Sequence, residues 1–143
     1  MMLVLRFVHV LAALTWIGGM VFIALVLVPT LRELDDAPLR SRLVQDAGTR
    51  FRRVAWIAIV LLLVSGLGNL WMRPYLLGLP HVQIKLGLVG AALVLSALHD
   101  FVLGPRAGRP GADVRLRARA SWVARGNVIV VLLVVMLGLM LRG

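Results

Sequence analysis

Residues 3–31 read LVLRFVHVLAALTWIGGMVFIALVLVPTL. The run exceeds the roughly 20 apolar residues a helix needs to cross a bilayer, and only Arg6 and His9 bring titratable groups into it. Three more stretches have this character, at about 54–72, 82–103 and 123–141. Within the last, VIVVLLVVM at 128–136 lacks the alternation of a barrel strand. Hydrocarbon offers the backbone no hydrogen-bond partners, so the remaining solution is helical. The expected fold is all-α: an integral membrane four-helix bundle, one domain over residues 1–143.

Composition agrees with this reading. The chain is 61% hydrophobic with mean hydropathy +0.96, against about 45–50% apolar residues in soluble domains. The first stretch is not read as a cleaved signal peptide. It has no basic segment before its apolar core and no small-residue cleavage site after it.

A formal charge of +10 invites a nucleic-acid reading, but the placement of the charge argues against one. Arg32, Arg40, Arg42, Arg50, Arg52 and Arg53 fall between spans one and two, and Arg106, Arg109, Arg115, Arg117, Arg119 and Arg125 between spans three and four. In a four-span chain both connections lie on one side. The positive-inside rule makes that side cytoplasmic and both termini external, in a multi-pass protein of the cell membrane. Aromatic interleaving of the kind single-strand binders use is missing, so the lipid bilayer and its anionic headgroups are the expected partners. Asp36–Arg53 mixes charge with Leu39, Leu43, Val44 and Ala47, and Pro38 stands at its start. That pattern suits a short cytoplasmic interfacial helix between spans one and two. No strong internal repeat is visible.

Cysteine is absent, which removes disulfides, thiolate metal sites and covalent haem attachment. Any metal must be held by His, Met, carboxylate or backbone atoms. Titratable groups at membrane depth mark function by default. His9 lies about 10 Å below the outer end of span one at 1.5 Å per residue. His81 begins span three, and Lys85 follows one turn deeper. Arg6, Arg73, Asn69 and Trp16 are expected in the same outer leaflet. Haem needs one or two axial nitrogens, a flat apolar slot and cations for its propionates. His9 and His81 are the candidate metal ligands, and Lys85, Arg6, Arg73, Trp16 and Asn69 complete the candidate cofactor site. Copper is the alternative, with Met2 or Met20 adding thioether donors to the imidazoles. The plainer uses are a structural hydrogen bond from His9 to another helix, an interfacial His81, a Lys85 that snorkels outward and a Trp16 that packs. His99-Asp100 lies about 27 Å along the helix axis from His81, near the opposite face, and reads as a hydrogen-bonded pair.

Two segments carry a resemblance. His9-Val-Leu-Ala-Ala-Leu-Thr-Trp16-Ile-Gly18-Gly19, followed by Pro29 and Leu31-Arg32, resembles the first helix of the CopD (copper resistance protein D-like) family. Leu98-His99-Asp100-Phe101-Val102-Leu103-Gly104-Pro105-Arg106 and Lys85-Leu86 are similar to a later helix of its small members. The His9-to-Trp16 spacing and Lys85 also resemble HemJ, a membrane protoporphyrinogen oxidase family associated with haem b. The resemblance implies a haem b protein for electron transfer or small-molecule redox chemistry, an oxidoreductase with a quinone or other redox partner. The alternative it implies is a copper-binding or copper-transport protein, for which a homodimer would complete the path.

Overall fold

In the computed structural model, residues 2–109 and 111–140 are described, without the side chains of Met2 and Met140. The thioether donor expected at Met2 and the end of span four at Leu141 lie outside the described residues. Among those described there are helices and no strands. Four are long and apolar enough to cross a membrane: Leu3–Arg32, Ala37–Trp71, Pro80–Ala107 and Val114–Leu139. The chain divides into two compact units, Met1–Pro74 and Tyr75–Gly143, each a helical hairpin.

In the first hairpin, α1 (Met2–Phe22) passes through a π-helical turn (Ile23–Leu27) into α2 (Val28–Arg32). The return helix is α3 (Ala37–Trp71). Asp36 caps α3, accepting from the Leu39 N–H at 2.9 Å, and Pro38 occupies its first turn. The helix expected at Asp36–Arg53 is present, and it runs without a break into span two. At 1.5 Å per residue α3 is about 52 Å long, some 20 Å more than the roughly 30 Å hydrocarbon layer. Its arginine-bearing half therefore stands outside the layer as one rigid rod with the span.

The second hairpin follows a 3₁₀ turn at Pro74–Gly78. It comprises α4 (Pro80–Ala97), a π-helical turn (Leu98–Leu103), α5 (Gly104–Ala107) and α6 (Val114–Met140). Its element order repeats that of the first. The likeness extends to single hydrogen bonds: Val28, before Pro29, donates to the Ile23 carbonyl, and Gly104, before Pro105, donates to the His99 carbonyl. The cause is shared. Proline has no N–H, and its ring clashes with the carbonyl four residues back, so a widened turn relieves the clash and re-pairs the ladder. Twenty residues before Pro29 stands His9, and twenty before Pro105 stands Lys85. Each lies against a glycine of its own hairpin's return helix, Gly66 or Gly138. An internal repeat exists in the architecture where none is visible in the residues.

Packing is inverted relative to a soluble protein. The buried apolar positions are mostly small, among them Ala12, Ala55, Ala58, Ala92 and Ala120, while Leu3, Phe7, Leu14, Leu25, Ile57 and Val64 point outward. Lipid tails are as apolar as leucine, so burial of large side chains gives no advantage and small residues win the contacts. In the first hairpin the Phe51 ring fills the place that a Cβ at Gly19 would take. Gly19→Leu is expected to lower stability by about 1–3 kcal/mol through overpacking. Thermal unfolding in detergent would show this, with Phe51→Ala in the same chain recovering part of the loss.

Candidate functional site

His9 is half-buried on α1, and its Nδ1 lies 2.8 Å from Ser65 Oγ on α3. Ser65 is 1% exposed. Its hydroxyl also reaches back to the Leu61 carbonyl one turn earlier and, at 3.3 Å, to that of Leu62. A carbonyl cannot donate, and a serine hydroxyl has one proton, which these contacts take. The imidazole therefore donates from Nδ1–H to Ser65, and in the neutral ring the lone pair is on Nε2. That arrangement is the one ligating histidines use, with the second ring nitrogen anchored to an oxygen.

The surroundings of the ring follow from local sequence. A Cβ at Gly66 would stand 3.4 Å from His9 Cε1, so glycine at 66 lets the imidazole lie on α3. One turn beyond Ser65 on the same helical face comes Asn69, and Arg73 follows just past the end of α3, both half-buried. Trp16 and Ala12 are buried on the α1 face that carries His9. Arg6 is exposed. The first hairpin thus holds His9, Trp16, Asn69, Arg73 and Arg6. The structural hydrogen bond weighed for His9 is present, and it engages Nδ1.

His81 and Lys85 belong to the second hairpin. His81 is half-buried in the first turn of α4. Lys85 is half-buried too, and its Nζ comes within 3.2 Å of where a Cβ at Gly138 on α6 would stand. Deeper in this hairpin Asn127 donates to Ser96 Oγ at 2.8 Å, joining α6 to α4 with both residues buried. Sequence reading passed over Ser65 and this pair. The available signal was a lone hydroxyl or amide inside an apolar run. His99 Nδ1 lies 3.0 Å from Asp100 Oδ1, the pairing expected of these neighbours. Among the described residues no three His, Cys, Asp or Glu side chains group as a metal cluster.

Four apolar helices long enough to span a bilayer, with polar groups paired between helices, define a multi-pass membrane protein. The chain belongs to the CopD family. The family model for copper resistance protein D matches residues 45–141, more than half the chain, including Ser65, His81, Lys85, His99 and Asp100. His9 precedes the matched region. An uncharacterized protein of Aquifex aeolicus is 34% identical over 137 residues, covering 95% of this chain and 92% of the relative. No solved structure matches.

The tautomer assignment has a direct test. With histidine ¹⁵N-labelled, His9 should show a protonated Nδ1 and an unprotonated Nε2, and Ser65→Ala should shift the two toward a mixture. Ser96→Ala, Asn127→Leu and the double variant should give a coupling energy of about 0.6–1.7 kcal/mol in unfolding measured in bicelles.

Proposed function

We propose that the protein handles copper ions in the cell membrane, with His9 Nε2 as a donor to the ion. The observation that carries this reading is the 2.8 Å contact of Nδ1 with a buried serine hydroxyl, the oxygen anchor that ligating histidines have on their second ring nitrogen. Membership of a copper-resistance family supplies the cargo. Imidazole suits both copper oxidation states. The first hairpin supplies one imidazole, so any further imidazole comes from outside it. A second copy of the chain is one source, and a homodimer would also enlarge a path that four helices alone make narrow.

A second reading places haem b on the same imidazole, serving electron transfer to a quinone or another small redox partner. It is favoured by Asn69, one turn beyond Ser65 on α3, and Arg73, just past the end of that helix, which offer a hydrogen bond and a cation to propionates. In either reading the arginine-rich connections lie in the cytoplasm with both termini outside.

The two readings separate in one preparation. Protein purified from cells supplied with both haem and copper is examined for a Soret band, and its copper is measured after acid digestion. Copper without a Soret band, lost in His9→Ala, is the expected result; a Soret band whose reduced form sharpens would transfer the assignment to haem. Retention of both signals in His9→Ala would remove His9 from either role. Orientation is read separately, because the chain has no cysteine of its own. Arg109→Cys should resist an impermeant maleimide in intact cells, and Leu77→Cys should react.

A further inference from the structure

Five arginines and a single acid, Asp46, lie on α3. At 1.5 Å per residue Arg53 and Trp71 stand about 27 Å apart along the axis, so α3 meets the two surfaces of the roughly 30 Å hydrocarbon layer near these residues. The arginines differ in their surroundings. Arg40 donates to the Leu34 carbonyl at 3.3 Å, while Arg50 and Arg53 are exposed. Arg52 is half-buried, and its Nε–H is buried with no hydrogen-bond partner among the described residues. An N–H left in that state is costly and calls for an acceptor from outside the protein. One turn deeper, α3 carries an open apolar groove of about 330 Å³, lined by Trp56, Ile57, Val60 and Leu61. Arg53 precedes Trp56, Ile57 and Val60 at helical spacing and so stands over the same stripe, and Arg52 stands one turn above Trp56.

We propose that this end of α3 seats one anionic phospholipid of the leaflet on the arginine side. The phosphate accepts from Arg52 Nε–H and from the Arg53 guanidinium, and one acyl chain lies along the groove. Three demands converge here: the buried N–H needs an acceptor, the paired guanidinium groups need an anion, and the apolar lining needs a chain. Water satisfies the first and a free anion the first two. A lipid satisfies all three, because it joins a phosphate to a hydrocarbon tail. The guanidinium fork matches phosphate oxygens in its plane, which makes Nε–H a directed donor and not only a diffuse charge. Basic pockets beside the cytoplasmic ends of spans hold anionic headgroups in the same way. The inference stands apart from the copper reading, since none of these residues belongs to the surroundings of His9.

The test uses the full chain in detergent, with dioleoylphosphatidylglycerol or dioleoylphosphatidylcholine added and bound lipid counted by native mass spectrometry. Phosphatidylglycerol should be retained about tenfold or more over phosphatidylcholine. Arg52→Gln combined with Arg53→Gln should bring that ratio close to one. Arg117→Gln combined with Arg119→Gln removes the same charge from two exposed positions of α6 and should leave the ratio unchanged. Arg52→Lys keeps the charge but loses the Nε–H, and should lower phosphatidylglycerol retention by about fivefold. Val60→Trp, at an outward-facing position, fills the groove and should lower retention as well. A ratio indifferent to Arg52 and Arg53, or one lowered equally by the α6 pair, overturns the seat. Displacement of the lipid by millimolar inorganic phosphate, with no effect of Val60→Trp, would give the arginines to a free anion and overturn it too.

Discussion

A polar group without a partner costs several kcal/mol in hydrocarbon, and the interior of this protein is arranged around that penalty. It makes the chain helical, because a helix pairs its own backbone. It also explains what happens where pairing fails. Pro29 and Pro105 each delete an N–H inside a span, and in both places the helix widens so that the preceding residue bonds five back. The same demand places Ser65 against its own carbonyls and Asn127 against Ser96. Ser65 then stands as an acceptor for His9 Nδ1–H. The chemistry assigned to Nε2 is thus a consequence of backbone and hydroxyl accounting two helices wide.

Hydrophobicity plays a different part. It sets where the chain resides, but it does not decide which faces meet, since lipid satisfies leucine as well as a neighbouring helix does. The contacts fall to residues that let backbones approach. Ala12, Ala55 and Ala58 are buried while Leu14 and Ile57 face outward, and Gly66 and Gly138 receive the side chains of His9 and Lys85. A half-buried imidazole or ammonium needs room beside a partner helix, and glycine makes that room without adding a polar group of its own.

The spans were legible because about 20 apolar residues in a row have few other uses. His9 was legible for the complementary reason: a titratable side chain in such a run is conspicuous. Ser65 was not. Serine is inexpensive inside a helix when it bonds back to its own turn, so its presence announces nothing until the helix opposite is known. That the interfacial helix continues into span two without a break was not legible, because charge changes along Ala37–Trp71 while helix propensity does not. The repeat was hidden more thoroughly. Aligned on their prolines, the two turns share little beyond Val26-Leu27 and Val102-Leu103, since lipid-facing positions accept almost any apolar residue.

That tolerance gives the repeat its interpretive value. Where two hairpins share a backbone device, residues common in kind report what the device needs, and residues that differ in kind report something else. The prolines and the apolar residues before them belong to the first class. His9 and Lys85 occupy corresponding places, differ in chemistry, and are both polar, so that level of each hairpin admits a charged or titratable group while its helix partner supplies the clearance. His99 and Asp100 belong to the second class, because Ile23 and Ala24 form the turn without them. Burial and hydrogen bonding alone would class the His99–Asp100 contact as a local pairing of neighbours. Set against its apolar counterpart, the same contact is not what forms the turn.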